Sequence, residues 1–562
     1  MTNFKQKLEL TWIGKEKRPK LEPRILIEDP DKSYGDKRTE NMLILGDNLL
    51  ALKALEQDYA GSVKCIYIDP PYNTGSAFTH YEDGLEHSIW LSLIEARLQI
   101  LWNLLDPDYG SLWISIDDDE MPYLRVLMDQ LIGREKFIAQ NVWQKRYSRE
   151  NREAIGDVHE YIIVYAKNPQ IFKEIRNKVP LIEDQAKVYK NPNNDPKGRW
   201  RPIPMTAQEG HATPEQFYEI VTPGGAVHKP PEGRCWGLSK KTFDKLNSEG
   251  KIWFGKDGKS QPNIIRYLSE VEGMVPWTWW PHEEVGHTDE SKKEIHALFG
   301  KIQAFDTPKP ERLIQRIIHI ATKPGDLVLD SFAGSGTTGA VAQKMGRKWI
   351  MVELGEHCHT HILPRMKKVC DGTDQGGISK AVNWQGGGGF KYYYMAPSLL
   401  KKDRYDQWVI NPEYNAPMLA AAMAKHENFR YSPDEVHYWK QGQSSEKDFI
   451  FTTTVHLTPE HLDRIHEEMR HGESLLICCK SHFRGADGRY DNITVKKIPG
   501  MLLGKCEFDR NDYSLNIVDM PRNGDDAEFV PSGPVAVEVK KEKKKAKVKD
   551  AGQVSIFENE GE

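Results

Sequence analysis

"LVLDSFAGSGTTGAVAQKMGRKWIMVE", Leu327 to Glu353, decides the fold class. An apolar run ends on Asp330, glycines follow at 334, 336 and 339, a small-residue helical pattern runs to about Met345, and a second apolar run ends on Glu353. That is strand, tight turn, helix and strand, the unit from which parallel sheets are wound. Glycines at 334 and 336 let the backbone approach a ligand closely, and an acid ending the next strand can accept both ribose hydroxyls. The three glycines also satisfy G-x-G-x-x-G with Glu353 near the expected offset, so this stretch alone fits a nicotinamide oxidoreductase too.

The same rhythm extends toward the amino terminus. "VKCIYI" (Val63 to Ile68), "SLWISI" (Ser111 to Ile116) and "EYIIVYA" (Glu160 to Ala166) predict strands. "HSIWLSLIEARLQILWNLL" and "DDDEMPYLRVLMDQLIG" predict helices between them, the second with acids at its start and glycine at its end. Alternating strands and helices predict a parallel sheet covered on both faces. The first strand stops in "YIDPPYNTG", Tyr67 to Gly75. Adjacent prolines lack N–H groups and cannot continue a ladder, so the turn is rigid and presents Asp69 and Tyr72 at a strand's carboxyl end. That is where open α/β sheets bind ligands.

From about 176 to 300 the rhythm breaks into Pro-, Gly- and Asn-rich sequence, and it resumes with the helix "PERLIQRIIHIA". "QGGGG" closes this block near residue 389, and a further α/β pattern follows to about 525. The boundaries expected are an extension over 1–40, a sheet domain split into 41–175 and 301–394, an insert over 176–300, a module over 395–530 and a lysine-rich tail over 531–562. At 562 residues, three or four domains are expected. Charged residues at 28% and hydrophobic ones at 39% are ordinary for a soluble chain. No run approaches the roughly 18 apolar residues of a membrane span, and "MTNFKQKLELTWIGKEK" lacks a secretory core. The seven cysteines form no C-x-x-C pair, which points to reduced thiols and a cytoplasmic protein. A net charge of −5 means that any nucleic-acid contact comes from local basic patches.

Asp69-Pro70-Pro71-Tyr72 together with Phe332-Ala333-Gly334-Ser335-Gly336 resembles the paired D-P-P-Y and F-x-G-x-G signature of amino-directed DNA methyltransferases that use S-adenosyl-L-methionine. The order, with D-P-P-Y first, is that of the β group. "ILGDNLLALKAL", "YIDPPYNTG", "FDTPKPERLI" and "VLDSFAGSGTTGAVA" are similar to the modification subunit of type III restriction–modification systems, over roughly residues 40 to 395. The resemblance implies a Rossmann-like doubly wound methyltransferase sheet in permuted order, with an inserted target-recognition region and a C-terminal α/β module. Permutation leaves Asp69 and Asp330 free to end neighbouring strands at the switch point.

The resemblance further implies methyl transfer to adenine N6 in double-stranded DNA. Asp69 and the Pro70 carbonyl are expected to accept the two N–H hydrogens of a flipped-out base, with Pro71 holding the turn and Tyr72 stacking on the ring. Asp330, Phe332, Gly334 and Gly336 are expected around the cofactor, with Asp47 at its adenine amine, Glu353 at its ribose, and Lys309 with Pro310 at its amino-acid end. Related enzymes often begin this last element with His-Pro-Thr, where this chain has Phe305-Asp306-Thr307. A cytosine-N4 enzyme is the alternative, although serine is commoner there in place of Asp69. The absence of a Pro-Cys dipeptide argues against cytosine-C5 chemistry. A nicotinamide oxidoreductase and a non-catalytic specificity subunit are the readings from other classes.

In the insert, Lys197, Arg199, Arg201, Lys256 and Arg266 lie among Trp200, Trp253, Tyr267, Trp277, Trp279 and Trp280, a mixture suited to phosphate contact and stacking. The same tryptophans could instead form the insert's core. "HCHTH" (His357 to His361) and "DDDE" (Asp117 to Glu120) resemble metal clusters, but a helix start explains both and no metal is expected. Gln553, Ile556 and Phe557 in "GQVSIFENEGE" are similar to the Q-x-S-L-F peptide that docks on bacterial sliding clamps. The resemblance also implies a second copy of the chain and a helicase-nuclease restriction subunit as partners, and no G-x-x-x-x-G-K-[ST] loop for translocation is present here.

Overall fold

Strand residues that are apolar at every position need cover on both faces, and the central sheet meets that need with helices on each side. The structure is a computed structural model, and it describes residues 9–72, 87–147, 155–181, 183–300 and 307–513. The tail with Gln553, Ile556 and Phe557 lies outside the described residues, as do Phe305 and Asp306. The central strands are β1 (Leu26–Glu28), β2 (Met42–Leu45), β3 (Cys65–Ile68), β4 (Ser111–Ile116), β5 (Phe137–Gln144), β6 (His159–Ala166), β7 (Trp279–Trp280), β8 (Leu327–Asp330), β9 (Lys348–Glu353) and β10 (Gly389–Met395). They lie in the order β1-β10-β2-β9-β8-β3-β4-β6-β5-β7, and Tyr34–Gly35 pairs beside β10 to complete eleven strands.

The helices that matter for the site are α1 (Asn48–Tyr59), α2 (His87–Leu104), α3 (Met121–Met128), α4 (Thr288–Phe299), α5 (Glu311–Ala321), α6 (Thr337–Lys344) and α7 (Leu363–Cys370). Successive residues of β3 feed opposite cores, as the strand period of two dictates. Ile66 and Ile68 pack with Leu49, Leu52, Trp90 and Leu98 of α1 and α2. Cys65 and Tyr67 pack with Ile314 and Ile317 of α5 and Val341 of α6.

The pairing that matters most is β8 against β3, parallel, with Val328 beside Cys65 and Leu329 beside Ile66. Two strands far apart in the chain are thereby neighbours, so Asp69 and Asp330 emerge from adjacent strand ends, as expected from a permuted sheet. The expectation of an all-parallel sheet is corrected: β6 pairs antiparallel with β4 and with β5, and β1 pairs antiparallel with β10. The reason is a strand that the sequence reading lacked, Phe137–Gln144, which pairs antiparallel with β6 along its length. Its half-buried, polar-interrupted sequence, "FIAQNVWQ", carries little apolar signal.

Within 176–300 the largest sheet is Ile252–Trp253, Asn263–Tyr267 and Trp200–Pro204. The segment then rejoins the central sheet, where Trp279–Trp280 pairs in parallel with β5. Beyond β10, the chain forms a five-stranded sheet running from Arg430–Tyr431 to Ile493–Lys497, accompanied by helices Ala416–His426 and Pro459–Glu468.

Candidate active site

A cleft of about 230 Å³ opens at the carboxyl ends of β3, β8 and β9. Asp69, Pro70, Pro71, Tyr72, Lys309, Asp330, Phe332, Gly334 and Glu353 all line it. Residues that the sequence supplies from three separate segments are thus brought to one place by the β8–β3 pairing.

On the β3 side the turn is held from outside: the Trp90 indole donates to the Pro71 carbonyl at 2.7 Å. Pro70 lines the cleft beside Asp69, and among the described residues nothing donates to its carbonyl. Asp69 is occupied. Lys309 donates to both of its oxygens, at 2.8 and 2.7 Å, and the Tyr72 hydroxyl donates to Oδ1 at 2.7 Å. Burial works against the Lys309 charge, but the Asp69 and Glu160 carboxylates overcome it and hold its pKa above the ordinary lysine value. Glu160, absent from every motif, also lines the cleft, with Oε2 3.1 Å from the Tyr72 hydroxyl. Tyr72 stays a phenol, because burial and then the neighbouring carboxylates raise its pKa well above normal.

On the β8 side the glycine loop is built around two buried acids. Asp330 accepts from the Phe332 N–H at 2.9 Å and from the Thr338 hydroxyl at 2.5 Å, yet burial still pushes its carboxyl up to about 7. Burial also works to raise Glu353, but His357 and the backbone N–H groups of Gly355 and Gly334 overcome it, so its carboxyl titrates below its usual range. Glu353 Oε2 accepts the Gly334 N–H at 2.7 Å, so the acid shapes the loop as well as facing the cleft. Gly336 takes φ +76° as it starts α6, and a Cβ there would meet Ile362 at 3.0 Å. It supports the loop from behind rather than lining the cleft.

Behind the loop lies a buried charge cluster with no sequence signature. Arg365 donates to the Ser335 carbonyl at 3.1 Å, to Thr337 Oγ1 at 2.9 Å and to Glu311 at 2.8 Å. Glu311 also receives Lys344, which pairs in turn with Asp374. Helices α5, α6 and α7 are thereby tied to the glycine loop.

Asp47 does not line the cleft. It is buried, caps α1 by accepting the Leu50 N–H at 3.0 Å, and accepts the Tyr513 N–H at 3.0 Å. The neighbouring Asn48 reaches the loop instead, donating to the Ser331 carbonyl at 2.8 Å. Of the histidine cluster, His357 lies 3.0 Å from Glu353 and His361 packs edge-on to Phe299.

In the insert, Lys197, Arg199, Lys256 and Arg266 are exposed and Arg201 is half-buried. Arg201 and Arg266 stand directly opposite each other on antiparallel strands. Like charges in that relation cost stability unless an anion lies between them. Lys197 lies over the Tyr267 ring at 5.3 Å and Arg201 over Tyr189 at 5.2 Å, whereas Arg199 pairs with Glu183. The tryptophans divide: Trp200 and Trp280 are buried, while Trp277 and Trp279 are close to half exposed.

The family described as DNA methylase (N6/N4 class) matches residues 63–363. The Mod subunit of the type III restriction-modification enzyme StyLTI from Salmonella typhimurium is 34% identical over 367 residues, covering 59% of this chain and 55% of that protein. The DNA adenine methyltransferase YhdJ of Escherichia coli is 44% identical over 313 residues, covering 56% of this chain and 78% of that protein. The match spans about half the length of the StyLTI Mod subunit and of the Haemophilus influenzae HindVI Mod subunit. A Thermus thermophilus DNA modification methylase solved with S-adenosyl-L-methionine is 16% identical, covers 63% of this chain and 99% of its own, and has a TM-score of 0.31.

Proposed function

The chain belongs to the DNA methylase family, and from that membership we propose that it transfers a methyl group from S-adenosyl-L-methionine to the N6 amine of an adenine turned out of double-stranded DNA. The observation that carries this reading is the shared cleft: an acceptor pair, Asp69 and the Pro70 carbonyl, opens beside the Asp330 to Gly334 loop. The cleft suits the cofactor. Buried Asp330 and Glu353 are acceptors for hydroxyls and positive charge, and Gly334 presents backbone at φ +53° without a side chain. Bound there, the cofactor supplies an electrophilic methyl on a positively charged sulfur.

The exocyclic amine is a poor nucleophile because its lone pair is delocalised into the ring. Accepting its two hydrogens on Asp69 and Pro70 O favours a pyramidal nitrogen with that pair available. Tyr72 closes one side of the space and the fixed turn aims the amine, so that positioning carries most of the rate. A base in a duplex cannot enter such a cleft without leaving the stack.

The insert's Lys197, Arg201 and Arg266 would contact phosphates, with Arg199 and Lys256 at its edge. The similarity to a Mod subunit of a type III restriction-modification enzyme favours a role as a modification component; a homodimer, a helicase-nuclease restriction subunit as partner and a cytoplasmic location complete the proposal. Among the described residues, no helix is long and apolar enough to cross a membrane. Incubating the chain with tritiated S-adenosyl-L-methionine and genomic DNA, then digesting to nucleosides, tests the reading: label is expected in N6-methyladenine. Label in N4-methylcytosine, or undiminished label with Asp69→Ala, would overturn it.

A further inference from the structure

Glu160 comes from a strand with no motif, and topology places it in the cleft. β6 runs antiparallel to β4 with Tyr161 opposite Ile116, so its first residues reach the edge where the parallel strands end. There the Tyr72 hydroxyl lies 2.7 Å from Asp69 Oδ1 and 3.1 Å from Glu160 Oε2. A hydroxyl carries one proton and donates to one carboxylate at a time. A proton arriving on one carboxylate can therefore leave through the hydroxyl to the other.

Resting on the methyl-transfer reading above, we propose that Glu160 is the terminal acceptor of the proton that the methylated amine must release, reached from Asp69 through the Tyr72 hydroxyl. As the N6 lone pair forms the new N–C bond, the C–S pair departs with sulfur, which becomes a neutral thioether. The amine nitrogen is then positively charged and passes one hydrogen to Asp69. Asp69 passes a proton to the Tyr72 oxygen, and the hydroxyl hydrogen moves to Glu160. The balance is one N–C bond gained, one C–S bond lost and one proton moved to Glu160.

The other candidates in reach fit less well. Lys309 stays protonated, since two carboxylates hold it so, and cannot take the proton. Asp69 is bound through both oxygens to Lys309 and must be ionised again to receive the next amine. Glu160 is less committed. Lys309 and Lys145 each approach it at 3.6 Å, outside charge-assisted hydrogen-bond distance, while Lys145 pairs with Asp157 at 2.7 Å. Among the described residues, Tyr72 from the β3 turn, Lys309 ahead of α5 and Lys145 after β5 stand against Glu160, and its charge also acts on Tyr67 of β3 and on Asp117 after β4.

Single-turnover methyl transfer by the full chain, measured between about pH 5 and 9, tests the relay. Glu160→Gln keeps size and hydrogen bonding but cannot accept the proton. It is expected to slow transfer about 100-fold and displace the acid limb of the profile. Its dissociation constant for S-adenosyl-L-methionine should stay within about twofold, since the relay touches no cofactor-side group. Tyr72→Phe keeps the ring, removes the hydroxyl and should show the same loss, and it decides the matter if Glu160→Gln does not fold. An active wild type with an unaltered rate and pH profile in either folded variant overturns the relay alone. No transfer by the wild type overturns the methyl-transfer reading and the relay with it.

Discussion

Lys309 Nζ stands 2.8 and 2.7 Å from the two oxygens of Asp69, a lysine and an aspartate that lie on opposite sides of the 176–300 insert in sequence. The pair is poorly exposed, at 11% and 23% of side-chain area. It fixes the plane of the carboxylate that faces the cleft.

Removing the cation is therefore expected to cost both stability and rate. Lys309→Ala should destabilise the chain by about 3 kcal/mol, because a mostly buried carboxylate loses its counter-charge. Methyl transfer should fall about 100-fold through misplacement of the acceptor. Thermal melting and single-turnover transfer measure the two effects, and a faster variant would mean that Lys309 instead blocks the amine.

Arg365 ties the glycine loop to Glu311. Arg365→Met should weaken S-adenosyl-L-methionine binding more than it slows transfer at saturation, since it loosens Ser335 and Thr337 but not Asp69. Calorimetric binding and saturating kinetics separate these outcomes. Equal binding by variant and wild type would restrict Arg365 to holding the helices together.

Glu294 on α4 has Oε1 buried without a partner among the described residues, while Oε2 accepts the Glu311 N–H at 3.2 Å. Burial first, and then Glu311, push its carboxyl up to about 8. A carboxyl raised on folding favours the native state below its unfolded pKa, and that contribution disappears as pH rises through the folded value. Stability should thus fall between about pH 5 and 9, by up to about 4 kcal/mol from this group. Glu294→Gln should flatten the curve in urea titrations, and an unchanged slope would remove Glu294 from the account.

The opposed Arg201 and Arg266 pair carries the expectation for DNA contact. Arg266→Ala should lower the slope of log affinity against log salt by about one, with similar loss on all sequences if the contact is to phosphate. Loss confined to one target sequence would assign Arg266 to base recognition.

Much of the cleft was legible because its parts are local. Two prolines after an apolar run, or glycines between a strand and a helix, dictate backbone shape within a few residues, so the turns at Asp69 to Tyr72 and Asp330 to Gly334 could be read from spacing, while their roles came from the family resemblance. The strands Ser111–Ile116 and Lys348–Glu353 lie where the apolar runs predicted them. Other features were not visible for equally physical reasons. Strand β5 alternates weakly, and Asp47, although in a recognisable "GDNL", is spent on capping α1 and on Tyr513.

The sequence by itself determined the fold class and the two strand-end motifs, because periodicity and turn chemistry act at short range. Tertiary structure fixed the register of β8 beside β3, and it alone decided that Lys309 sits on Asp69 and that an antiparallel β6 delivers Glu160 to the same edge. Those relationships are set by which strands share hydrogen bonds and which helices cover them. Such choices are made by burying the whole sheet at once and leave no mark at any single position.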